Sequence, residues 1–87
     1  MDDLTKCLYE FMMERRMGSL WEDAEYKACN LGVKLQEERV NSYLNEEQQK
    51  ELDLLLDRIA EQGSIEQAHM FQTTLELVRE LNTLVQA

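Results

Sequence analysis

The sequence predicts an all-α protein, and three observations carry that prediction. The 87 residues include no proline and only three glycines, Gly18, Gly32 and Gly63, so few positions interrupt a helix. Leu, Glu, Gln, Met and Ala, all good helix formers, are abundant. Apolar residues recur at i, i+3, i+4 and i+7 within each candidate segment. The architecture expected is a four-helix antiparallel bundle, a single domain over residues 1–87. Two long helices, at about 19–44 and 64–86, form its main layers.

The first helix is expected from about Asp3 to Met17. Leu4, Cys7, Leu8, Phe11 and Met12 form one apolar face. Asp2 and Asp3 suit its N-terminus, and Arg15 and Arg16 suit its last turn. Gly18 would supply a left-handed C-cap. Ser19-Leu20-Trp21-Glu22 then reads as a capping box opening the second helix. Its stripes are Trp21, Ala24, Ala28, Leu31 and Leu35 on one line, and Tyr26, Cys29, Val33, Val40 and Leu44 on the other. Gly32 inside it costs on the order of 1 kcal/mol against alanine, which suggests close approach of a neighbour. Asn45, with Gln48 as reciprocal partner, is placed to cap a third helix whose narrow core face is Leu52, Leu55, Leu56 and Ile59.

Gly63 is expected to end that helix, and Ser64 to begin the last one, which runs to Ala87. Met70, Leu77, Leu81 and Leu84 lie on one line of helical spacing. Ala68, Phe71, Leu75, Val78 and Val85 lie on an adjacent one. A surface helix needs a single apolar stripe about 100° wide, so two stripes imply burial on two sides. Met70, Phe71, Leu77, Leu81 and Leu84 therefore mark a core or dimer helix, and a homodimer is expected. The competing account is a compact monomer whose middle helix is well surrounded.

The net charge is −9, which excludes simple binding to nucleic acid or an anionic membrane, both of which need a basic surface. Wholly apolar runs such as Leu54-Leu55-Leu56 fall far short of the roughly 20 residues of a membrane span. Asp2 and Asp3 open the chain in place of a secretion signal, which favours the cytoplasm. Cys7 and Cys29 sit on separate helices at half-buried positions. There a reducing compartment would keep them as small hydrophobic thiols. A bridge between them stays open, because the separation of their α-carbons is not legible from sequence.

No catalytic arrangement emerges. His69 is the only histidine, the glycines are scattered, and no Cys/His array has zinc spacing. Glu66-Gln67-Ala68-His69 has the Glu-x-x-His spacing of four-helix di-iron sites, but such sites need two copies and two further glutamates. Glu66 also suits a first helical turn for its charge alone. Neither metal nor cofactor is expected. Two candidate partner surfaces remain. Glu46, Glu47, Glu51, Asp53, Asp57 and Glu61, against only Lys50 and Arg58, could stand in for a phosphate row in a basic groove, although a solvated face is the commoner meaning of such a run. Arg15, Arg16, Trp21 and Tyr26 combine residue types enriched in interface hot spots, although helix-end electrostatics and Trp21 roofing a core suffice to explain them.

Leu8-Tyr9, Glu25-Tyr26, the leucine-bearing helix from Glu46 to Leu56, and Phe71 with Leu75 and Leu77 resemble a group of small all-helical proteins of Firmicutes and of their phages and integrative elements. In that group glycines often follow the phenylalanine where this chain has Thr74 and Val78. The resemblance implies an all-α fold and a bacterial or mobile-element setting, and brings no activity with it. The function expected is a non-enzymatic acidic interaction module, carried by a phage or mobile element. It would bind a host protein with a basic nucleic-acid-binding surface and inhibit a nucleic-acid-handling or defence enzyme, as anti-CRISPR proteins do. A structural homodimerisation module and a metal-binding helical bundle are the alternatives.

Overall fold

A computed structural model describes residues 1–86 and is all-α; Ala87, the last residue of the expected fourth helix, lies outside the described residues. Among the described residues are three long helices and one short turn of helix: α1 (Asp3–Arg15), α2 (Gly18–Glu22), α3 (Ala24–Ser42) and α4 (Glu46–Gln86). The expected second helix is thus divided, and the expected third and fourth are one.

Local chemistry explains both differences. Asp2 caps α1 by accepting a hydrogen bond from the Thr5 N–H at 2.7 Å. α1 ends at Arg16, and no glycine has a positive φ, so Gly18 is not a left-handed cap but the first residue of α2. Ser19 lies inside α2, whose N-cap, Met17, makes no side-chain hydrogen bond. The cap that wins is Asp23. Its backbone is extended, and its carboxylate accepts from the Tyr26 N–H at 2.8 Å, opening α3. Aspartate disfavours helix interiors and favours this position, so α3 opens four residues later than a serine cap would place it.

The turn between α3 and α4 is held by side-chain hydrogen bonds. Asn45 Oδ1 accepts from the Gln48 N–H at 2.9 Å while Gln48 Oε1 accepts from the Asn45 N–H at 3.0 Å, a reciprocal capping box. Gln49 Nε2 donates to the carbonyls of Asn41 and Leu44, which tethers the end of α3 to the start of α4. So short a connection sends α4 back along α3.

α4 then continues for 41 residues, about 60 Å at the standard rise. Gly63 does not end it. Its φ is negative, and a Cβ placed there meets nothing within 4 Å, as is also true at Gly32. Neither glycine serves a turn or a close approach. A single glycine costs only about 1 kcal/mol, which the helix-favouring sequence on either side outweighs.

α1 and α3 lie one after the other along α4, each antiparallel to it. Val33 and Val40 of α3 face Leu52 and Leu56 across a shallow cleft. Tyr9 of α1 meets Phe71 edge-on, with ring centroids 5.3 Å apart, and the charge of Arg79 reaches Asp2. The result is a strip two helices deep, 62 × 28 × 20 Å, with a radius of gyration of 18.4 Å. A compact chain of this length would have about 12 Å. The expected pair of long layers is therefore replaced by one rod, α4, against a broken second layer.

No apolar residue is buried among the described residues; only Thr5 is, at 4% exposure. On α1 it is Thr5, Tyr9 and Met12 that turn toward α4, while Leu4, Leu8 and Phe11 of the expected apolar face are exposed. Cys7 and Cys29 are exposed free thiols, which corrects the half-buried positions expected for them. No helix is long and apolar enough to cross a membrane among the described residues.

A continuous α4 makes opposite predictions for two substitutions at one position. Gly63→Ala should keep full helicity by far-UV circular dichroism, whereas Gly63→Pro should lose it locally and cost about 3 kcal/mol in chemical denaturation. Equal stability of the two variants would mean that the helix breaks there.

Candidate functional site

The two stripes of the second half of α4 have different fates. Ala68, Phe71 and Leu75 are half-buried, with Phe71 held under Tyr9 of α1. Met70, Leu77, Leu81 and Leu84 remain open, Met70 at 68% exposure and Leu84 at 75%. Val78 and Val85 are open as well. Burying one such leucine or methionine fully is worth roughly 1.5–3 kcal/mol, so covering four would add an amount comparable to the whole stability of a typical domain. Leu55 and Ile59 extend the open stripe toward the N-terminal half of the same helix.

All six acidic residues, Glu46, Glu47, Glu51, Asp53, Asp57 and Glu61, are exposed on the first half of α4. Helical spacing puts Asp53, Asp57 and Glu61 in one row, four residues apart, on the side away from Leu52 and Leu56 and hence away from α3. Six carboxylates within 16 residues amount to one per ~4 Å of helix, spread over nearly half its circumference, and the row itself carries one per ~6 Å, against one charge per ~3.4 Å along a strand of B-DNA. Because α4 is unbroken and well capped, this row is held on a rigid rod.

The structure divides the other candidate surface into two pairs. Trp21 packs edge-on against Tyr26 at 5.6 Å, across the Asp23 break, and stays 61% exposed, so it roofs no core. The Arg16 guanidinium lies over the Phe11 ring at 5.5 Å, a cation–π contact within α1. Arg15 sits in the last turn of α1, where positive charge is favoured. Phe11 as the partner of Arg16 was not anticipated, because i, i+5 residues do not face one another on a regular helix, and Arg16 is the C-cap of α1 rather than part of its regular turns.

A second feature missed from sequence is a cleft between α1 and α4. Met12, Met13, Met17 and Met70, four of the five methionines in the chain, line it with Phe71 and Thr74. Methionines on two segments are grouped only once the register of α1 on α4 is known. Glu66 and His69 are exposed, and no group of three His, Cys, Asp or Glu side chains could hold a metal ion among the described residues.

Hydrogen bonding by the Thr5 side chain, then by its backbone N–H, holds the Asp2 carboxyl below its ordinary value of 3.8, with Arg79 adding attraction. Compared with protein-family models, with curated protein sequences and with solved structures, the chain matches none.

A depressed folded-state value means that the cap contributes stability above the ordinary value and loses it as pH falls through the folded one. Helicity followed by circular dichroism should therefore decline at the acid end. Asp2→Asn, which keeps an acceptor but cannot titrate, should flatten that decline. An identical acid limb in the variant would show that the cap carries none of it.

Proposed function

We propose that this protein is a non-enzymatic acidic helical interaction module that works as an assembly of two copies and engages a basic partner protein through the first half of α4. The observation that carries this reading is the division of labour along one helix. An apolar stripe with nothing over it occupies one flank, and a row of carboxylates occupies another.

Two copies that close their apolar faces form the four-helix antiparallel bundle that one copy lacks, each contributing α4 and its broken opposing layer. The acidic row then stays outward. A row of negative charge suits a basic groove built for a nucleic-acid strand, so the partner class is a nucleic-acid-handling or defence protein of a bacterial host, and the effect is inhibition by occupying that groove. The resemblance to small helical proteins of phages and integrative elements supports a mobile-element setting for such an inhibitor.

Asp53→Lys, Asp57→Lys and Glu61→Lys in one chain test the acidic row. Capture from a bacterial lysate by the tagged wild-type protein should recover a basic partner at low salt and release it at high salt. The triple variant, equally helical, should lose capture roughly tenfold or more, while Trp21→Ala should leave it unchanged. Undiminished capture by the triple variant contradicts the acidic-row reading. Recovery of nothing but the protein itself reduces the role to a structural dimer.

A further inference from the structure

The exposed stripe of α4 has a pattern of its own. It is apolar at Leu55 and Ile59, polar through Gln62 and Glu66, apolar at Met70, polar at Thr73, and apolar again at Leu77, Leu81 and Leu84. These positions follow one another at steps of three and four residues over about 44 Å of helix, which keeps them on one side.

Reversing the helix about Met70 lays this pattern on itself. Leu84 falls on Leu55 and its neighbour Leu56, and Leu81 falls on Ile59. Leu77 falls on the Gln62–Gly63 step, where the missing side chain leaves it room. Thr73 falls on Gln67, one residue from Glu66, so a hydroxyl meets an amide with a carboxylate beside it. Laid parallel instead, the stripe sets Glu66 against Glu66 and leaves a gap where glycine meets glycine.

Charge favours the same choice. Residues 46–61 carry six carboxylates against Lys50 and Arg58, a net −4, while residues 64–86 carry three against Arg79, a net −2 with His69 neutral. Antiparallel pairing sets each strongly acidic half beside the less acidic half of the other helix, whereas parallel pairing sets −4 on −4.

The area available is of the right size. The described residues expose 7858 Å², against about 5,400 Å² for a compact chain of 10.3 kDa. The excess of about 2,500 Å² per chain is what an obligate dimer interface would cover. A contact between two α4 helices alone is too narrow to supply it, so the opposing layers must take part.

We infer that the occupant of this stripe is a second copy of the same chain, bound antiparallel through α4 with its two-fold axis at Met70. This rests on the two-copy reading above and specifies its geometry. A two-fold axis makes the contact isologous, so the residue on the axis meets itself and every other residue meets a different one. With helix axes 8–10 Å apart, as is usual for packed helices, facing positions come within reach of a disulfide after modest adjustment.

The test uses the full chain with Cys7→Ser and Cys29→Ser, both exposed free thiols, and sedimentation velocity followed by oxidation with copper phenanthroline and non-reducing gels. The wild-type chain and each reduced variant should sediment as dimers. Met70→Cys should cross-link to itself. Leu84→Cys alone should stay uncross-linked, but should form a mixed dimer with a size-tagged chain carrying Leu55→Cys, a reading independent of Met70. Self-cross-linking of Leu84→Cys without the mixed species would overturn the antiparallel register while leaving the dimer. A dimer that forms none of these bridges would place the interface on another face. A monomeric wild-type chain would overturn the dimer and its register together.

Discussion

A helix that carries two apolar stripes needs neighbours on two sides, and a strip two helices deep supplies only one. That mismatch governs this structure. α4 meets α3 at Leu52 and Leu56 in its first half and α1 at Phe71 in its second, so each part of the rod has one neighbour. Everything on the other flank faces water, and for that reason no apolar side chain is buried among the described residues. The hydrogen-bonded turn at Asn45–Gln49 and the Asp2 cap fix where the helices start, but capping is a small contribution that cannot replace a core. A chain of this size is marginal even when compact. The two-copy account follows from that shortage.

Much of the local structure was legible in the sequence. Asp2 and the Asn45–Gln48 pair could be read because caps depend on residues three positions apart. The all-α class could be read because composition and period agree along the chain. The breaks were harder to read. Ser19 and Asp23 compete to open a helix four residues apart, and only the folded backbone shows that Asp23 prevails. Gly63-Ser64 has the residues of a stop and a start, yet α4 runs through it, because a glycine penalty near ~1 kcal/mol is smaller than the cooperative gain of extending an existing helix.

The stripes themselves were visible before the fold, and their partners were not. Periodicity names the residues of a face without saying what covers it. Phe71 and Met70 are adjacent in sequence and equally apolar; α1 half-covers the first and only borders the second, at the edge of the methionine-lined cleft, which depends on the rotation of α1 about α4. In the same way Trp21 looks like a core residue by type but packs only on Tyr26 at the surface. The acidic row could be listed from sequence, whereas its mounting on an unbroken rod, away from α3, could not. That mounting turns a charged composition into a row in fixed register along one helix.

The central claim is that the chain completes its core against a second copy, so its stability must depend on how much of it is present. Thermal unfolding followed by circular dichroism, over about 1–100 µM protein at fixed pH and salt, tests this directly. A transition whose midpoint rises steadily with concentration is the predicted result, because association is then part of folding. A cooperative transition at the same temperature throughout that range would show a chain that is stable alone, and would contradict the account.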